Sequence, residues 1–311
     1  PDGLPGRYAM LSAEKMLERA RDHGFDLAGL ADLREPLPHR DYAEQWIASA
    51  KHGSMNYLER TIKERFDPDL YFVGARSALV LGVFYRSQRM DQALQTALCK
   101  VARYAGGRDY HKVLKKKTYR LMSEFVEQEP SLQFRISVDT APVSEKLLAE
   151  RAGLGFQGKN TLVIHPDRGS FFFLIVVLLN QELTGSKAVT DGCGQCRRCL
   201  EACPTGALKP YQMDATRCIS YRTIEDKKPG NFAGQTAGWV FGCDICQEVC
   251  PYNRKPVYGS HKEFQFRGRL LPLLEGHLED ENIYEFIASG SALRRASYKK
   301  LQSSIEAVRG S

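Results

Sequence analysis

The sequence predicts a mixed α/β fold, of the α+β kind, in three parts. These are a layered sheet-and-helix domain, a small metal-bound domain and a helical C-terminal segment. Three observations carry this. Helical and strand periodicities alternate as far as about residue 185. Eight of the nine cysteines crowd between Cys193 and Cys250. From Lys255 onward the pattern is mostly helical. The expected boundaries are therefore 1–185, 186–256 and 257–311.

The elements follow in order. "SAEKMLERARDHG" puts Met16, Leu17 and Ala20 on one face and ends in glycine, a helix pattern. "SALVLGVFY" reads as a strand. "QALQTALCKVARYA" and "HKVLKKKTYRLMSEFVEQ" read as helices. "QFRISVD" alternates, with Phe134, Ile136 and Val138 on one face, so it is a half-buried strand. "PVSEKLLAERAG" reads as a helix opened by Pro142 and closed by Gly153. After "TLVIHP" comes "FFFLIVVLL", too short to span a membrane, which reads as a strand buried on both faces. The segment from Thr184 to about Asn253 has few large aliphatic residues, so bound metal must hold it together. "ENIYEFIASGSALRRASYKKLQSSIEAV" is helical.

The bulk numbers exclude little. With 311 residues, 43% of them hydrophobic, the chain can bury a sizeable core. The net charge of +7, from 44 basic and 37 acidic residues, permits a nucleic-acid partner without requiring one. No secretory signal is visible, so a cytoplasmic protein with no membrane association is expected, acting as a monomer. Clustered cysteines in such a protein point to metal rather than disulfides. Cys99, in a helix-like context, is expected to be a small buried apolar residue.

The cysteines pose a counting problem. "CGQCRRCLEACP" carries four at spacings of two, two and three, followed by proline, whereas "CDICQEVCP" carries three. In two-cluster ferredoxins the last cysteine of each run ligates the other cluster. Aligned by their prolines, Cys203 matches Cys250, Cys199 matches Cys246 and Cys196 matches Cys243. Val240 then falls opposite Cys193, and Cys218 is left over to fill that gap. One [4Fe-4S] cluster takes Cys193, Cys196, Cys199 and Cys250, and the other takes Cys203, Cys218, Cys243 and Cys246. Zinc sites or free thiols are the alternatives, but the double Cys-Pro ending and the closed count fit a bacterial-type ferredoxin module better. Such a module passes single electrons and leaves the organic chemistry to another part of the chain.

"VDTAPVSEKLLAERAGLGFQGKN", the two cysteine runs, "CISYRTIE", "MNYLERTIKERFDP" and "RYAGGRDYHKVLKK" together resemble the epoxyqueuosine reductase family, over roughly residues 10 to 256. "GSALRRA" near the C-terminus extends the resemblance. It implies a base-off cobalamin held by the first domain, on a nitroreductase-like sheet-and-helix core. The clusters would relay electrons from an external low-potential donor to make cob(I)alamin. The substrate would be epoxyqueuosine at the wobble position of tRNA, reduced to queuosine with loss of water. Longer members of the family carry a helical repeat extension that this chain does not match. The corrinoid reductive dehalogenases share the layout and are the second reading, and a plain two-cluster electron carrier is the third.

The resemblance also assigns residues. The family's proton donor falls on Asp139, and a carboxylic acid there would protonate the leaving epoxide oxygen. To act near neutral pH, that carboxyl is expected to have a raised pKa. Tyr57, Arg60, Tyr104, Asp109, Tyr110 and His111 lie in family-like stretches and are candidate cobalamin contacts, His111 not as a cobalt ligand. Lys159 and Asn160 in "GLGFQGKN" are expected to hydrogen-bond the corrin amides, with Val163 and Leu174 touching the corrin. For tRNA phosphates the candidates are Arg197, Arg198, Arg222, Lys227, Lys228, Arg294 and Arg295, with Lys299 and Lys300 behind them.

Overall fold

The structure is a computed structural model of the chain and describes residues 12–190, 192–226 and 236–310. Its main sheet has four strands: Leu27–Asp32 and Ser77–Phe84, then Phe172–Leu179, then Phe134–Ser137 at the far edge. Every pairing in it is antiparallel, with Leu79 opposite Val177 and Ile136 opposite that same valine on its other side. The domain is thus α+β. The rule that ligands gather at the carboxyl ends of open parallel sheets does not apply to it.

The two central strands are almost wholly buried, as the unbroken apolar run of Phe171–Leu179 requires. On one face, Leu79, Leu81, Phe173, Ile175 and Val177 pack against the helices Ala13–Asp22 and Tyr110–Gln128. On the other, Val80, Val176 and Leu178 pack against the helix Glu145–Arg151. That helix lies close to the sheet. A Cβ on Gly29 would stand 2.0 Å from the carbonyl oxygen of Ala152, so only glycine fits there.

Two elements differ from the sequence reading. The expected helix over "QALQTALCKVARYA" ends at Thr96. Beyond it Lys100–Val101 forms a strand parallel to Trp239–Phe241, and Arg103–Ala105 is a 3-10 turn. Pairing with the cysteine-rich segment overrides local helical preference. Cys99 is fully buried, as expected, but in a loop, its N–H bonded to the Leu274 carbonyl. The second difference is the start of the helix after Asp139. Ser144 is its N-cap and Glu145 its first residue, while Pro142 belongs to the preceding turn. Gly153 closes it with φ +74°.

The C-terminal helices Glu281–Ala288 and Tyr298–Arg309 share one core with Met90, Leu94, Val240 and Phe241. The segment is therefore packed on both preceding parts. No helix among the described residues is long and apolar enough to cross a membrane.

Candidate active site and its cysteine loops

Asp139 stands two residues past the end of the edge strand, in the left-handed region at φ +61°. A non-glycine residue there costs roughly 1–2 kcal/mol, which its surroundings must offset. Its N–H donates to Glu145 Oε1 at 2.7 Å, and Ser137 Oγ donates to the same oxygen at 3.0 Å. Its carboxylate Oδ2 lies 3.2 Å from His111 Nε2. His111 Nδ1 in turn lies 2.8 Å from Asp109 Oδ1, and Asp109 caps the long helix that carries His111. The His111 ring stacks on Tyr110 at 4.0 Å, and Tyr110 stacks on Phe173 of the central strand at 4.2 Å. Tyr104 meets Tyr110 edge-on. An Asp109–His111–Asp139 chain is thus fixed to the sheet through an aromatic stack.

The Asp139 side chain is 61% exposed, so the site opens to solvent, with His111 and Glu145 against the residue. Tyr57, Arg65, Tyr104, Lys146 and Arg295 all feel its charge. Burial raises the Asp139 pKa, but the His111 and Tyr110 hydrogen bonds and the Arg295 charge hold it below the usual carboxylate value. This corrects the expectation of a raised pKa. The raised carboxyl is its neighbour: burial, then the charge of Asp139, push Glu145 up to about 7. His111 titrates above an ordinary histidine, because its two carboxylate partners outweigh burial.

The thiols form two groups. Cys193, Cys196, Cys199 and Cys250 ring a cavity of about 160 Å³, with Lys159 and Asn160 in its wall. Their charges act on one another. Cys203, Cys218, Cys243 and Cys246 act on one another in the same way, and Cys246 also feels Cys199 of the first group. Backbone N–H groups point at the sulfurs of Cys203, Cys218, Cys243 and Cys250, as they do around cluster thiolates. Among the described residues no three such groups converge on a point fit for a single metal ion. A cage as wide as the ringed cavity suits a polynuclear cluster. Lys146, whose Nζ donates to the Thr161 carbonyl at 2.9 Å, feels the charges of both Asp139 and Cys246.

Other expected contacts find partners within the chain. Lys159 Nζ donates to the carbonyls of Gly194 and Cys196, at 2.5 and 3.0 Å, and Asn160 Nδ2 to that of Cys246 at 3.3 Å. The "GLGFQGKN" loop therefore ties both cysteine loops to the sheet domain. Val163 is buried and Leu174 half-buried, both in the core on the Glu145–Arg151 side. Arg60 is exposed, and Arg65 and Arg295 both feel the Asp139 charge. Arg197 pairs with Glu201, Arg294 with Glu285 and Arg295 with Glu225. Arg198 lines an open groove of about 550 Å³ with Arg254. Arg222 donates to the Thr216 carbonyl. Lys227 and Lys228 lie outside the described residues.

Comparison with known proteins decides the family. The chain is 36% identical over 294 residues to the epoxyqueuosine reductase of Leadbetterella byssophila, covering 93% of this chain and 96% of that one. It is 39% identical to that of Cyclobacterium marinum, covering 92% and 93%. The chain belongs to the epoxyqueuosine reductase family. Residues 65–140 match the family described as "Epoxyqueuosine reductase QueG, DUF1730", and 192–253 match a 4Fe-4S double cluster binding domain. An epoxyqueuosine reductase solved with an epoxyqueuosine-modified tRNA-Tyr stem loop superposes with a TM-score of 0.79 at 27% identity, covering 95% of this chain and 80% of that one. One from Bacillus subtilis, with an aspartate-bearing catalytic loop swung out of its active site, superposes at 0.80 with 26% identity, covering the same shares. A catabolic reductive dehalogenase shares the fold alone, at 0.50 and 17% identity, covering 97% of this chain and 39% of that one.

Proposed function

We propose that this protein reduces epoxyqueuosine to queuosine at the tRNA wobble position. It would do so on a base-off cobalamin held in the opening around Asp139, with electrons relayed through two [4Fe-4S] clusters. The observation that carries the reading is the Asp109–His111–Asp139 chain, held to the central strand through the His111–Tyr110–Phe173 stack. Relatives of this family act on epoxyqueuosine, and one has been solved with its tRNA stem loop. Likeness to the dehalogenase reaches only the fold.

The reaction takes two electrons and two protons. Both C–O bonds of the epoxide break, a carbon–carbon double bond forms and the oxygen leaves as water. When bound, cobalamin supplies the strongly reducing centre that opens the ring. The protein supplies the protons and relays the electrons. Asp139 and His111 share a proton across 3.2 Å. Exclusion of water from the opening by a seated substrate would raise the cost of the Asp139 charge and shift that proton onto its carboxyl, ready for the departing oxygen. Asp109 keeps His111 oriented and protonated to restore it. Cys193, Cys196, Cys199 and Cys250 would hold the first cluster, and Cys203, Cys218, Cys243 and Cys246 the second, and the pair would relay single electrons. An external low-potential donor supplies them.

Asp139→Asn is the test. It keeps the shape and removes the acid. Turnover should fall by roughly 10²–10⁴ with clusters and cobalamin still bound. Normal turnover in that variant would remove Asp139 from the mechanism.

A further inference from the structure

Arg103 is a buried cation that none of the chemistry above uses. Its side chain is 8% exposed. Its Nη1 donates to Asp244 Oδ2 at 3.0 Å and to Glu248 Oε1 at 2.6 Å, and its Nε to Asp91 Oδ1 at 2.5 Å. Its backbone N–H also donates to Asp244 Oδ2, at 2.8 Å. Asp244 is 2% exposed and directly follows Cys243, two residues before Cys246. Arg86 holds the other oxygen of Asp91 at 2.7 Å, and both guanidiniums lie over the Phe171 ring. Two cations thus face three carboxylates where the first domain meets the second cysteine loop.

We propose that Arg103 is a positioning and potential-setting residue for the second cluster. It clamps the Cys243–Cys246 loop to the first domain and offsets the Asp244 charge beside the cluster. The inference rests on the cysteine assignment above. A buried ion pair of this kind often adds no net stability over apolar residues of the same volume, so stability alone gives little reason for it. Potential does. Reduction adds one negative charge to a cluster that is already anionic, and nearby fixed charges set its cost. Without Arg103, three carboxylates would face one cation, and reduction of that cluster would become harder. Asp244 sits between two ligands of the second cluster, Cys243 and Cys246, whereas of the first cluster's ligands only Cys250 comes near the contact, two residues after Glu248, so the first cluster should respond less.

The test is a redox titration followed by electron paramagnetic resonance, on the full chain loaded with iron and sulfide. Wild type should show two one-electron waves. In Arg103→Met one wave should move down, so that its reduced-to-oxidised ratio at fixed potential falls at least tenfold, or 59 mV. The other wave should move less than twofold. Asp244→Asn should move the same wave upward, and the double variant should return it to within threefold of wild type. If Arg103→Met loses its clusters, Arg103→Lys and Asp244→Asn carry the test. Arg103→Lys should move the wave less than tenfold, and Asp244→Asn must still raise it. A loosened loop would move the wave the same way in both Arg103→Met and Asp244→Asn, and that result would overturn the proposal. So would equal movement of both waves, or none. A wild-type chain that takes up no clusters would instead refute the cysteine assignment.

Discussion

Two carboxyls six residues apart, Asp139 and Glu145, are pushed in opposite directions by their surroundings. Asp139 was legible in the sequence because the family resemblance pointed to it and the alternating strand ends just before it. Glu145 was passed over as an ordinary helix residue, since nothing local marks an acid whose oxygen will hold a strained loop. Its titration gives a prediction with a definite sign. A carboxyl whose folded-state pKa, about 7, lies above its ordinary value of 4.5 favours the fold when protonated. That contribution is full below pH 4.5 and is lost as pH rises through 7. Glu145→Gln keeps an acceptor for the Asp139 N–H and removes the charge. Relative to wild type, the variant should gain about 1–3 kcal/mol in urea unfolding across that window, with clusters bound and cobalamin absent. A difference that does not change with pH would show that Glu145 titrates normally.

At the scale of elements, the interlock of the two cysteine loops is a proposal from counting spacings, and Cys193, Cys196, Cys199 and Cys250 line one cavity. It makes an unusual prediction. Cys250→Ser and Cys199→Ser lie in different loops yet should abolish the same cluster signal and lower bound iron by about half. Cys218→Ser and Cys203→Ser should abolish the other. Loss of the Cys203 signal in Cys250→Ser would break the assignment. Strands and helices with strong periodicity were also legible, above all the buried run at Phe172–Leu179. There Ile175→Ala should cost about 2–4 kcal/mol in the same unfolding measurement, since the side chain is fully buried between strand neighbours. The stretch after Thr96 was not legible, because its strand partner, Trp239–Phe241, lies some 140 residues away in the sequence. Arg103 and Asp244 were missed for the same reason: each is unremarked locally, and only the fold brings them together.

At the scale of the whole molecule, the Asp109–His111–Asp139 chain belongs to the sheet domain, and the "GLGFQGKN" loop ties both cysteine loops to that domain. The charged rim is more self-paired than the sequence implied, as Arg197, Arg294 and Arg295 each have an acidic neighbour. Binding of tRNA should still weaken with salt, by at least about tenfold between roughly 50 and 200 mM, if several phosphates are contacted. A flat salt response would remove the basic rim from tRNA recognition. The most direct test of the whole account is mass analysis of tRNA nucleosides. The tRNA would be incubated anaerobically with the reduced protein, loaded with iron, sulfide and cobalamin. The account predicts that epoxyqueuosine becomes queuosine, one oxygen lighter, and that this stops when either cobalamin or the clusters are left out. Unchanged epoxyqueuosine with the fully loaded protein, or conversion without cobalamin, would contradict it.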